Sequence, residues 1–446
     1  MKRLDLDPTD ENVRNSILND SLERNKHIKT FYELLRYSED IHTIAIDGAW
    51  GSGKTFFAKE LCQVINNCAK DNVENEIKKV IGIENPDTSI CAVYYDAWKN
   101  DNDLDPVVSI LLEIADQLEE IIDISDIKKS LNSIIGEICK TVLNKYISLT
   151  LKINASLQVD DPLKNYKESK TFEGKIKQVF NELTEEHCNK LIIFIDELDR
   201  CKPTYAVELL ERIKHYFTDD RLIFVFTINS SQLQHSIKKC YGNEFDAYNY
   251  LDRFFDLRLN LPLIKREKIY EIVEINNDVP SCVMKTIINY YSMEFRQISH
   301  YKLLCNVVNN KFLYKKEIGP FSAMDNMLSL YLAPLFIGVF LNNKNDYDSL
   351  ITGNNSKLFS QLLSRVESID DLWSDLNCFN NEENKKSKME NASLLYEAIF
   401  KEYSWINNSK RIGSYTFTER TKNRLFEIIS LLSDISIFTS GGEDNE

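Results

Sequence analysis

TIAID-GAWGSGKT, Thr43 to Thr55, is the stretch that decides the reading of the whole chain. Thr43–Asp47 is a short apolar run that stops at a glycine, as a buried parallel strand does. Gly48, Ala49, Trp50, Gly51, Ser52, Gly53, Lys54 and Thr55 then fit the pattern G-x-x-x-x-G-K-[ST]. Phe57, Leu61, Val64 and Ile65 follow at i, i+4, i+7 and i+8, which predicts a helix from Thr55. Strand, glycine loop and helix in that order make a phosphate-binding loop. Gly48, Gly51 and Gly53 let the backbone curl so that successive N–H groups face one anion. The helix start adds its positive end. Lys54 is the expected contact to the β- and γ-phosphates, and the Thr55 hydroxyl is an expected magnesium ligand. All eight residues from Gly48 to Thr55 are candidate nucleotide contacts.

A second block, LIIFIDELDR, puts acids at the end of five large apolar residues, Leu191–Ile195. Phosphoanhydride hydrolysis needs a metal to neutralise charge and a base to orient water. Asp196 is placed to hold the magnesium shell and Glu197 to activate the water. An Asp-Glu pair favours ATP hydrolysis over phosphorylation of a small molecule. Arg200 reads as a structural partner of Asp199. Asn229 ends the run FVFTIN and is a candidate contact to the γ-phosphate or the water; capping a helix over Ser230–His235 is its alternative. No N-K-x-D signature occurs, so ATP with Mg2+ is expected rather than GTP.

Working outward, Ile90–Tyr95, Arg221–Ile228 and Asp256–Leu261 read as further strands. Asp105 and Pro106 start a helix whose inward face is expected to be Val108, Leu111, Leu112, Ala115 and Leu118. Pro203 and Thr204 open another. Strands alternating with helices imply an α/β fold with a parallel sheet covered on both faces. Residues 1–40 read as a helical extension with an apolar stripe at Phe31, Leu34 and Leu35. From about Lys265 the pattern is helical to the end.

The 446 residues carry a net charge of −15, which disfavours a general nucleic-acid coat. Ten cysteines are scattered with no C-x-x-C pair. The N-terminus lacks the apolar core of a secretory signal, so a cytoplasmic protein with reduced thiols is expected. Met327–Leu341 is charge-free but short of the ~20 residues that span a bilayer, and Pro334 interrupts it. It reads as a buried helix pair, with no membrane association.

Four blocks together resemble the KAP P-loop ATPases: IDGAWGSGKTFF with its tryptophan inside the loop, YYDAWKND (Tyr94–Asp101), IDELDRCKPTYAVELLERIKHYF, and TINSSQLQHSIKKCYGNEFDAYNYLDRFFDLRLNLP. They cover residues 41–262 discontinuously and resemble a bacterial subgroup carried on mobile elements. The resemblance implies an ASCE-type core over 41–262 with sheet order 5-1-4-3-2 and a helical insertion at 119–190. It also implies a helical lid at 263–310, leaving a helical region at 311–446 that matches nothing known. Many members carry membrane helices before the acid pair; 119–190 has no long uncharged run, so a soluble member is expected.

The resemblance further implies a homo-oligomer in which an arginine from a neighbour completes the site. Arg253 is the candidate and Arg258 its competitor, while Arg296 resembles the lid arginine that contacts the γ-phosphate. Trp98 is read as packing. A regulatory ATPase follows, acting in anti-phage defence or related signalling through a separate effector protein. The alternatives are an ATP-bound scaffold without catalysis and, less favoured by charge, a DNA-associated motor.

Overall fold

A computed structural model of the chain describes residues 7–70, 76–103, 105–121, 129, 132–140, 142–143, 162–186, 188–217, 219–313, 323–375, 387–400, 409–412, 415–418 and 427. The chain divides into two compact units, Met1–Lys268 and Ile269–Glu446.

The first unit is built on five parallel strands: β1 (Thr43–Asp47), β2 (Ile90–Asp96), β3 (Lys190–Asp196), β4 (Leu222–Ile228) and β5 (Leu257–Asn260). Their order across the sheet is β2-β3-β4-β1-β5, the order that the resemblance implied. The central strands are apolar throughout because both faces are covered. Alternate residues go to opposite sides. Val93, Ile193, Phe224 and Phe226 pack under one layer of helices, and Ala92, Ile192, Phe194, Ile223 and Val225 under the other.

Register places the chemistry. Thr227 of β4 lies directly beside Asp196 of β3, and Asp96 of β2 lies on its other side. The acid pair and the glycine loop therefore meet at the carboxyl ends of the strands, where open α/β sheets bind ligands.

The helix Pro106–Ile121 starts as the sequence predicts, with Asp105 Oδ1 accepting the Val107 N–H at 2.9 Å. Its inward face differs. Val107, Ile110, Leu111, Ile114, Ala115 and Leu118 are buried, whereas Leu112 is 46% exposed. At 100° per residue Leu112 falls on the side of Asp116, Glu119 and Glu120, which are likewise exposed, so the stripe facing the sheet is rotated from the expected one.

Helices Asp10–Asn19 and Asn25–Tyr37 pack on the core through Val13, Ile17, Ile28, Phe31, Tyr32 and Leu35. They also cover a buried acid. Glu60, on the helix Lys54–Ala69, accepts a hydrogen bond from the Ser16 hydroxyl at 2.7 Å, and its Oε2 has no partner among the described residues. Burial pushes its carboxyl up to about 7. An acid whose folded pKa exceeds its unfolded one binds more protons when folded, so stability falls as pH rises from about 4.5 through about 7. Glu60→Gln should therefore match wild type near pH 4.5 and gain up to about 3 kcal/mol above pH 8, since each unit is ~1.4 kcal/mol. Denaturant melts across that range would show it; a pH-independent difference would refute it.

The second unit is largely helical. Met327–Leu341 lies within one continuous helix, Ala323–Asn342, rather than a pair. Pro334 is accommodated inside it, and its carbonyl accepts the Tyr301 hydroxyl at 2.5 Å. Among the described residues no helix is long and apolar enough to cross a membrane. The expectation of helix to the end is corrected at β6 (Ser409–Ile412) and β7 (Tyr415–Thr418), which pair antiparallel. Ile412, Tyr415 and Phe417 supply β-branched and aromatic residues, the composition of strands.

Candidate active site

Glycine is required in the loop at two positions for conformation. Gly51 and Gly53 have φ of +81° and +88°, where a side chain would be strained. Gly48 serves by close approach instead: a Cβ there would stand 2.9 Å from Ser52 Oγ. The loop hangs from the sheet, with Gly48 N–H donating to Ile228 O at 3.0 Å and Leu261 N–H to Asp47 O at 2.8 Å. Lys54 begins the helix Lys54–Ala69. Its ammonium donates to Gly48 O at 2.8 Å and Ala49 O at 3.1 Å, so the cation spans the loop. Burial lowers its pKa, against the opposing pull of Asp199, Asp196 and Glu197.

Asp196 is fully buried and tied on both sides. Tyr94 of β2 donates its hydroxyl to Oδ2 at 2.8 Å, and Thr227 of β4 donates to Oδ1 at 2.5 Å. The Glu197 N–H also donates to Oδ1, at 2.9 Å. Burial and the adjacent carboxylate push the Tyr94 phenol far up, so it stays a donor.

Glu197 sits in the left-handed region at φ +60°, an uncommon place for a glutamate and one found at functional sites. The turn swings its carboxylate toward the loop, where the Thr55 hydroxyl lies 3.4 Å from Oε1. Burial and then Asp196 raise its pKa to about 7, with Arg200 opposing. A group so poised can accept a proton at neutral pH.

Several partners escaped sequence reasoning. Arg200 pairs with Glu197, Nε to Oε2 at 2.5 Å, and not with Asp199. The core itself thus places a second cation beside the acid pair. The guanidinium also lies 5.4 Å from the Trp98 ring, which is 52% exposed and holds the arginine from outside. Asp199 instead accepts the Trp50 indole N–H at 2.5 Å and the Asn229 backbone N–H at 3.0 Å. The tryptophan in the loop therefore ties the loop to the turn after β3.

Asn229 caps the helix Ser230–Tyr241, its Oδ1 accepting from Gln232 N–H and the Ser231 hydroxyl. The cap uses the oxygen alone and leaves the amide Nδ2 available to a phosphate. Arg253 is exposed at the end of the helix Ala247–Asp252, and among the described residues its guanidinium forms no ion pair. Its carbonyl accepts from Lys214. Arg258 is committed to packing, 3.6 Å from Asp252 and against the rings of Tyr248 and Phe255. Arg296 is exposed near the start of the helix Phe295–Leu313 in the second unit.

The family model described as the KAP family P-loop domain matches residues 24–276, more than half of the chain. The chain belongs to the KAP family. No curated protein matches it. As a KAP P-loop NTPase domain it has the architecture of a nucleotide-binding protein. The match begins at Arg24, just ahead of the helix Asn25–Tyr37.

The residues also suit magnesium. Mg2+ commonly takes one or two protein ligands plus phosphate oxygens, and the Thr55 hydroxyl and the Asp196 carboxylate flank Glu197 beside the loop. Thr55 and Asp196 would serve it in that way, and the ion would neutralise phosphate charge. What this chain supplies is the orienting loop, the Lys54 cation and the Glu197 carboxylate.

Proposed function

We propose that this KAP protein binds and hydrolyses ATP, and that its nucleotide state is a regulatory switch within a homo-oligomer. The observation that carries hydrolysis is Glu197, turned toward Thr55 with its pKa raised to about 7. A chain that only held nucleotide would have no need of a strained glutamate there. The effector is a separate protein on this reading, since the sequence offers no nuclease or protease motif. A setting in anti-phage defence or related signalling rests on the bacterial KAP resemblance.

A second reading is favoured by one contact. The Arg200–Glu197 ion pair occupies one carboxylate oxygen and lowers the basicity of the group, which opposes its role as a base. A chain in which it stays closed would be an ATP-bound scaffold.

Steady-state ATPase assays with and without DNA separate the readings. Turnover independent of DNA supports the switch, binding without turnover the scaffold, and DNA-stimulated turnover a motor. The oligomer has its own test. An arginine that stabilises transferred charge can be worth ~1000-fold or more in rate, and Arg253 is exposed with its guanidinium free of ion pairs among the described residues. Activity per subunit should rise with protein concentration. Arg253→Ala and Glu197→Gln, each inactive alone, should regain partial activity when mixed. A strict monomer with no rescue on mixing would return Arg253 to the surface.

A further inference from the structure

Arg24 is the one arginine among the described residues that is almost wholly buried, 1% exposed. Glu23, in the left-handed region at φ +51°, turns the chain ahead of it. Among the described residues no carboxylate meets its guanidinium at hydrogen-bond distance. The fork grips three carbonyls instead: Nη1 donates to Gly53 O at 3.2 Å, Nη2 to Ser52 O at 3.0 Å, and Nη2 and Nε to Pro262 O at 2.6 and 3.0 Å. The Phe57 ring lies 5.8 Å away. Burial lowers the pKa only to about 10, so the group remains a cation at neutral pH.

The geometry of the peptide gives this grip a consequence. In a trans peptide unit the C=O and the N–H point in opposite directions. Ser52 C=O shares its unit with Gly53 N–H, and Gly53 C=O shares the next with Lys54 N–H. Both oxygens are held on the side of Arg24, so both N–H groups must face away from it. They are the last of the loop and the first of the helix, where an anion is expected to sit. The underside is filled: a Cβ on Gly53 would meet Arg24 Nη1 at 3.1 Å. Pro262, just beyond β5, anchors the other end of the fork.

We propose that Arg24 is a positioning residue of the phosphate loop, gripping the Ser52 and Gly53 carbonyls from beneath so that the Gly53 and Lys54 N–H groups are presented to phosphate. This rests on the nucleotide reading above. Arginine is needed because three acceptors in fixed directions call for a planar fork, which a lysine point charge lacks.

The test is Arg24→Lys, measured by ATP and ADP binding and by steady-state hydrolysis. Both affinities should fall about tenfold or more, because two charge-assisted donors lose their aim. KM should rise by a similar factor while kcat at saturation stays within about threefold, since Glu197 is untouched. A merely structural role would lower the active fraction, and with it kcat, at unchanged KM and Kd, and that result would overturn the proposal. If Arg24→Lys does not fold, Arg24→Met combined with Glu60→Gln removes both buried charges and is judged by the same criteria. Failure of both to fold would make Arg24 a residue of the fold alone. Wild type that binds no nucleotide would overturn the nucleotide reading itself; wild type that binds, matched by a folded variant, overturns Arg24 only.

Discussion

Lys54→Ala is expected to weaken ATP binding by two orders of magnitude or more while leaving the fold intact. The ammonium is the loop's only side-chain cation, and it is buried where its charge is little screened. Removing one partner from a desolvated charge pair typically costs ~2–5 kcal/mol, or ~30-fold to several thousand-fold in Kd. Three carboxylates, Asp196, Asp199 and Glu197, lie within electrostatic reach of Lys54. Without the lysine they would confront the phosphates with Arg200 as the remaining cation beside them, which adds repulsion to the lost attraction. The fold should survive, because among the described residues Nζ bonds only to the Gly48 and Ala49 carbonyls of a surface loop. Direct binding by calorimetry, with a melting curve as control, checks both halves. Near-wild-type affinity would remove the loop from its assigned role.

Glu197→Gln should separate binding from chemistry. The substitution keeps shape and the left-handed turn, and Asp196 and Thr55 are untouched, so ATP affinity should stay within a few-fold of wild type. Loss of the base should lower turnover by ~100- to 10,000-fold. Asp199 is the nearest substitute, but its oxygens already accept the Trp50 indole and the Asn229 N–H. Single-turnover measurements on pre-bound ATP would isolate the effect. Persistent hydrolysis would mean that the base lies elsewhere.

Much of this was legible because the decisive interactions are local. The loop, the helix after it and the acids ending β3 each lie within a dozen residues, and the strand ends were placed to within one residue of those observed. What escaped was set by packing between distant segments. Arg200 could be assigned to Asp199 on sequence adjacency, but the turn at Glu197 points it back to the base. Tyr94 lies 102 positions from Asp196, and only parallel register brings its hydroxyl there. Arg24 lies between Glu23 and Asn25 in sequence, and nothing local announces that Gly53 will close over it. The C-terminal strand pair was missed for a different reason: β6 and β7 are four residues each, too short for an alternating pattern to stand out.

The two acids differ in how they are held, and the difference bears on how such a protein could change over evolutionary time. Asp196 joins three strands, since the hydroxyls of β2 and β4 both end on it. Deleting it would strand two buried donors, at a cost of ~1–3 kcal/mol each. Glu197 joins no strands, pairing only with the partly exposed Arg200 and, loosely, with the Thr55 hydroxyl, and its backbone would be more at ease as glycine or asparagine. Drift toward an inactive descendant therefore has an easy direction. The water-activating residue can go first and even relax the chain, while the neighbouring aspartate persists as architecture long after its chemistry is gone. A retained aspartate beside a lost glutamate would be the fossil of a former enzyme.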